Sequence, residues 1–229
     1  MAASAVGDVT GAPDAIAEML GYFGELIERR RREPGDDTVS HLVAAGVGDD
    51  DSGLLSILAY VFTMVTGGND TTTGMLGGAV QLLTERPDQR QALVEDRELI
   101  GTSVEELLRL TSPVQGLART TTRDVTLHDV TIPAGRKVLL LYGAANRDPR
   151  RYGPDADELD VRRNPGQILT FSQGNHFCLG ANAARMQARV ALEELLDRCP
   201  DFTVDIDAIE WAPGAYVRRP TTVPFEVTT

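Results

Sequence analysis

Cysteine is almost absent from this chain: Cys178 and Cys199 are the two among 229 residues. Two such residues build neither a disulfide framework nor a zinc-ligand spacing, which fits a reduced, cytoplasmic setting. Long apolar runs are lacking too. The longest, Leu54 to Val65, falls short of the roughly 20 residues that cross a bilayer, so no membrane span is expected. Positive charge is in deficit, with 22 basic residues against 34 acidic ones and a net charge of −12, which argues against nucleic acid as a partner. Residues 1–14 have no basic n-region and no apolar core, so no secretory signal is expected. No internal repeat and no low-complexity linker divides the chain. A single unit over residues 1–229 is therefore expected, long enough for a sizeable core.

What is present reads as helices, then short strands, then helix again. Ala15 to Arg32 has Ile16, Met19, Leu20, Phe23, Leu26 and Ile27 on one face and a basic end, before the Glu33-Pro34-Gly35 break. Thr38 to Ala45 predicts a short helix. Asp49, Asp50, Asp51 and Ser52 supply an acidic start and a cap for a long helix from about Gly53 to Glu85. Pro87 to Glu95 and Ile100 to Leu110 predict two more. From Val114 to Leu141 the period shifts towards two, divided by turns at His128-Asp129 and Pro133-Ala134-Gly135. Asn146 to Gly166 reads as an ordered stretch without regular structure. Ala181 to Arg198 is a helix, and Phe202 to Val227 carries strand signals.

Three segments carry chemistry. FSQGNHFCLG, Phe171 to Gly180, puts Cys178 in a glycine-punctuated loop just ahead of a helix. Glycines allow backbone N–H groups close to a sulfur, and a helix start adds partial positive charge, an arrangement suited to a thiolate that holds haem iron. A buried cysteine in a turn is the plain alternative. TGGNDTTTG, Thr66 to Gly74, collects poor helix residues inside the long helix. Threonine hydroxyls there can bond back to carbonyls and bend it, marking a functional distortion, or the small residues make a close helix contact. Glu106-Leu107-Leu108-Arg109 places an acid and an arginine on one helix face, which alone is an ordinary solvated pair.

Taken together these segments resemble the cytochrome P-450 monooxygenases, of the soluble bacterial type. Phe171, Gly174, His176, Cys178 and Gly180 fill F-x-x-G-x-H-x-C-x-G. Gly67, Gly68, Asn69, Asp70, Thr71 and Thr72 fill A/G-G-x-D/E-T-T, with Asn69 at a variable place. Glu106 and Arg109 stand where the family has E-x-x-R. The resemblance covers only the C-terminal half of the family's fold. It implies a mostly α structure with small β-sheets: a long oxygen-binding helix, the E-x-x-R helix, a meander, the cysteine loop and the helix after it.

The resemblance further implies haem b held by Cys178, with Phe171 packed near the thiolate. His176 and Arg119 would meet the propionates, with Arg123 as second choice for the latter. Gly67 and Gly68 would leave room for dioxygen, and Asp70 and Thr71 would relay protons. Glu106, Arg109 and Arg163 would form a buried structural network. Thr63, Met64, Val114 to Leu117, and Ala215 to Val217 with Tyr216 among them, would line a pocket for a hydrophobic small molecule. The implied reaction is hydroxylation with electrons from a ferredoxin and its reductase. Arginines 147, 150, 151, 162, 163, 185 and 189 would dock an acidic ferredoxin if they share a face, or else form mixed solvated charge with the intervening carboxylates. A haem sensor and a non-catalytic, truncated fragment are the other classes. Without the N-terminal half, the chain is expected to hold haem poorly.

Overall fold

The computed structural model describes residues 12–47, 51–214 and 216–228. The chain divides into two compact units, residues 1–69 and 70–229, with the boundary inside one long helix.

The first unit contains α1 (Ala12–Arg32), α2 (Thr38–Ala44) and the start of α3 (Asp51–Glu85). Arg29, Arg30, Arg31 and Arg32 fill the last turn of α1, where cations meet the negative end of the helix dipole. The Asp37 carboxylate caps α2 by accepting from the Ser40 N–H at 2.8 Å. Ile27, Val39, Ile57 and Val61 form a small core, with Phe23 and Leu26 packed on it. The expected apolar face of α1 is only half used, because Ile16 and Leu20 are exposed. The expected cap of α3, Asp49 and Asp50 with the side chains of Asp51 and Ser52, lies outside the described residues.

α3 corrects a second expectation. It runs as unbroken α-helix through the glycine–threonine segment. The Thr63 and Thr66 hydroxyls donate to the Ala59 and Phe62 carbonyls at 2.7 and 2.8 Å. These bonds add to the helical ladder without replacing any of its rungs, so no break results. The segment is exposed over residues 66–69, half-buried at Asp70, Thr71 and Thr72, and buried at Gly74, where the small residue makes a close contact.

The second unit begins with the C-terminal part of α3 and continues through α4 (Pro87–Glu95) and α5 (Leu99–Thr111). Four short strands follow: β1 (Leu117–Thr120), β2 (Val125–Leu127), β3 (Val130–Ile132) and β4 (Lys137–Leu140). β1 pairs antiparallel with β4, Leu117 opposite Leu140, and β2 with β3. His128 turns that hairpin with φ +52°. α6 (Tyr142–Ala145) and α7 (Pro149–Tyr152) come next. The stretch expected to lack regular structure thus contains one helical turn. Asp148 caps it by accepting from Arg150 N–H at 2.9 Å, and Pro149 suits its first position. α8 (Ala181–Arg198) precedes two further ribbons, β5 (Phe202–Val204) with β8 (Phe225–Val227) and β6 (Glu210–Trp211) with β7 (Pro220–Thr222).

The core of this unit is made where α4, α5 and α8 meet the C-terminal half of α3. Leu83, Leu93, Ile100, Leu107, Leu192 and Leu196 are fully buried there, each contributing about 1.5–3 kcal/mol of apolar transfer. Glycines let other elements reach α3 closely. A Cβ at Gly74 would stand 2.5 Å from the Arg218 carbonyl oxygen, one at Gly78 2.7 Å from Thr111, and one at Gly77 would collide with the Pro220 ring. By contrast Gly67 and Gly68 have open space around them.

Candidate functional site

The cysteine loop is held by its backbone. Cys178 N–H donates to the Phe171 carbonyl at 2.9 Å, closing the loop. Positive φ at Ser172 (+60°) and Gly174 (+67°) turns the chain, and Gly174–His176 makes a single 3-10 turn. Ala181 N–H, at the start of α8, bonds the Cys178 carbonyl at 3.3 Å. A Cβ at Gly180 would touch the Cys178 sulfur at 4.0 Å. The thiol is free and exposed, between the exposed apolar side chains of Phe177 and Leu179. Phe171 is buried beneath, and the Arg185 guanidinium lies 4.6 Å over its ring. Arg185 is fixed in turn by a bidentate pair with Glu105, at 2.5 and 3.0 Å. That pair holds the guanidinium above its usual pKa, with a weaker attraction to the Cys178 sulfur adding to it.

Behind the loop stands a buried charge network. Glu106 and Arg109 are both fully buried. Arg109 donates bidentately to Glu106, Nε to Oε2 and Nη2 to Oε1, each at 2.7 Å. Arg109 Nη1 also reaches the Asn146 and Ala156 carbonyls at 2.7 and 2.6 Å. Arg163 Nε donates to Glu106 Oε1 at 3.1 Å, and its Nη2 to Asp155 at 2.9 Å. The solvated-pair reading of Glu106 and Arg109 therefore gives way to a desolvated triad, in which every charge has a partner.

On α3, the Asp70 carboxylate pairs with Arg219 at 3.2 Å, partly exposed, and Thr71 is half-buried. Thr63 and Gly68 lie in the first unit, and the Thr63 hydroxyl is occupied by its own helix. Arg119, on β1, is half-buried and donates to the Ala118 carbonyl at 3.0 Å, while Arg123 and His176 are exposed. Val114 bridges to Val217, and Gln115 N–H bonds the Tyr216 carbonyl at 2.7 Å, so those expected pocket residues do meet. The Leu117 and Tyr216 side chains are exposed, and Ala215 lies outside the described residues. Five of the seven arginines around the loop pair within the chain: 147 with Asp157, 150 with Asp148, 163 with Glu106, 185 with Glu105 and 189 with Glu193. That is the mixed-charge alternative rather than a free basic face.

Three roles escaped the sequence reading, although Arg185 was named among the arginines around the loop. Arg185 had no pattern marking it as the cover of Phe171. Arg219 had a faint one, the Arg218-Arg219-Pro220 run. Asn146 looked like an ordinary turn asparagine, yet it is fully buried.

The family model described as Cytochrome P450 matches residues 14–208. The chain belongs to the cytochrome P450 family. It is 69% identical over 231 residues to cytochrome P450 130 of Mycobacterium tuberculosis, covering 100% of this chain and 57% of that protein. It is 42% identical to the mycinamicin IV hydroxylase/epoxidase of Micromonospora griseorubida, over 92% of this chain and 54% of the relative. Among solved structures it matches cytochrome P450 CYP109Q5 from Chondromyces apiculatus with TM-score 0.87 and 38% identity, over 96% of this chain and 57% of that one. The chain thus spans little more than half the length of the cytochromes P450 it matches. Its mostly helical fold with small sheets is the family's.

The P450 cofactor is haem, and the residues fit it. The donor is one free, exposed thiol on a backbone-locked loop, flanked by large apolar side chains. No group of three or more His, Cys, Asp or Glu side chains among the described residues could hold a bare metal ion. A single protein ligand to a cofactor-borne iron suits that donor set. No described helix is long and apolar enough to cross a membrane.

Proposed function

We propose that this chain is the haem-binding part of a cytoplasmic P450 that hydroxylates a hydrophobic small molecule. It would use dioxygen and electrons from a ferredoxin and its reductase. The observation that carries the reading is the Cys178 loop, with its exposed sulfur, its lock onto Phe171 and the helix that starts just beyond it. When bound, haem supplies the redox chemistry, and a thiolate ligand favours O–O cleavage.

The chain's own groups do the rest. Cys178 offers its sulfur as thiolate, with the α8 N-terminus and Arg185 as nearby positive charge. His176 and Arg119 meet the cofactor's carboxylates. Gly68 keeps the α3 surface free of a side chain, and Asp70 and Thr71 hold and pass protons. Arg219, 3.2 Å from the Asp70 carboxylate, orients it. Glu106, Arg109 and Arg163 hold the scaffold. The two compact units act as parts of one partial domain.

A second reading, a fragment that needs further chain to hold haem, is favoured by the leucines of the β1–β4 ribbon. Leu117 and Leu140 on one face and Leu139 on the other are all exposed, and a two-stranded ribbon is marginal when left uncovered. The test is haem titration of the purified chain and of Cys178→Ala. Saturable one-to-one binding lost in the variant supports the first reading. Weak binding that is the same in both proteins supports the second.

A further inference from the structure

We infer that Asn146 is a positioning residue for the Cys178 loop, clamping the segment before it onto the C-terminal end of α5. The side chain is fully buried, and it makes three hydrogen bonds, using both amide donors and the carbonyl oxygen. Its Oδ1 accepts from Leu169 N–H at 2.7 Å. Its Nδ2 donates to Ser112 Oγ at 2.8 Å and to Thr170 Oγ1 at 2.9 Å. The orientation of the amide is fixed chemically, because a backbone N–H can only donate. The two hydroxyls have no freedom either. Ser112 spends its proton on the Arg109 carbonyl and Thr170 on the Leu108 carbonyl, each at 2.8 Å. Both therefore present only lone pairs to Asn146.

The main chain of the same residue ties α6, which it caps, to the buried arginine of α5. Its carbonyl accepts from Arg109 Nη1 at 2.7 Å, and its N–H donates to the Tyr142 carbonyl at 2.9 Å. Leu169 and Thr170 lead directly into Phe171, whose carbonyl closes the cysteine loop. Asn146 is thus the point where the Glu106–Arg109 network, the end of α5 and the root of the loop are held together. A carboxylate of the same shape would keep the Leu169 bond but face two lone pairs with a third. Asn146→Asp therefore reverses the polarity of the clamp without changing its size.

The test is backbone hydrogen exchange of the full chain, which needs no haem, so its outcome is independent of the haem-thiolate reading that gives the clamp its purpose. In Asn146→Asp, corrected exchange over residues 168–180 is expected to rise about tenfold at neutral pH, while residues 188–198 of α8 keep their protection. Lowering the pH should restore loop protection, because a protonated carboxyl regains one donor. Should Asn146→Asp not fold, Thr170→Val removes one arm of the clamp and is expected to give a smaller rise in the same peptides. Unchanged loop exchange, or a uniform rise across α5, α8 and the loop with no recovery at low pH, would overturn the inference.

Discussion

Arg163 Nε stands 3.1 Å from Glu106 Oε1, a contact that joins α5 to a loop 57 residues further along the chain. It matters because Glu106 and Arg109 are fully desolvated, so the energy lies less in forming the network than in what breaking it leaves behind. Glu106→Gln or Arg109→Leu strands a buried charge and is expected to cost about 3–5 kcal/mol in chemical denaturation. Arg163→Ala should cost less, because its head is partly exposed and its other partner, Asp155, is in water. A cost below about 1 kcal/mol for Arg109→Leu would count against a structural role for the network.

Glycines on α3 separate packing from function. Gly74→Ala drives a Cβ to 2.5 Å from the Arg218 carbonyl and is expected to destabilise by about 1–3 kcal/mol. Gly68→Ala meets nothing and should gain roughly 0.5–1 kcal/mol from helix propensity. If Gly68 serves dioxygen, the same stabilised variant should bind haem normally yet oxidise substrate poorly once the enzyme is competent. Paired thermal melts and turnover assays distinguish the two effects.

Acid should weaken the second unit through its paired carboxylates. Hydrogen bonds from Arg86 and then Gln89 pull Asp88 from 3.8 to about 2. Arg163 likewise lowers Asp155. Because the folded state holds these charges more tightly than the unfolded one, their stabilisation is complete above about pH 4. It drains away as the pH falls through the folded values, towards 2 for Asp88. Asp88→Asn is expected to lower stability modestly at neutral pH and to flatten the loss between pH 4 and 2 by the same amount, as read by melts across that range.

The Asp70–Arg219 pair is partly exposed, so Asp70→Asn should change stability by less than about 1 kcal/mol. If Asp70 passes protons, the loss appears elsewhere: a slower catalytic step with unchanged haem affinity. A large drop in melting temperature would instead make the residue structural.

Much of this architecture was legible because it is local. Hydrophobic period and breakers located α4 and α8 to the residue, and Ala181–Arg198 needed only its own sequence. The cysteine loop was readable because its chemistry demands glycines and one thiol at short spacing. What stayed hidden depends on partners far away in sequence. The burial of Glu106 and Arg109 was implied by the resemblance, but the carbonyls at 146 and 156 that accept from Arg109 are partners no i, i+3 spacing encodes. Asn146 is a clamp only because Ser112 and Thr170 turn their lone pairs towards it. The expected distortion of α3 did not occur, because back-bonding threonines satisfy themselves within an intact helix. For the arginines near the loop the sequence left a docking face and mixed charge both open, because their individual carboxylate partners are set by the fold.

The central claim is that Cys178 binds haem iron as a thiolate. The most direct measurement is the absorption spectrum of the haem-loaded chain, reduced under carbon monoxide. Thiolate ligation predicts a Soret band at the long-wavelength position of a thiolate-ligated carbonyl complex, lost in Cys178→Ala. A band at the ordinary histidine-type position, unchanged by that substitution, would contradict it.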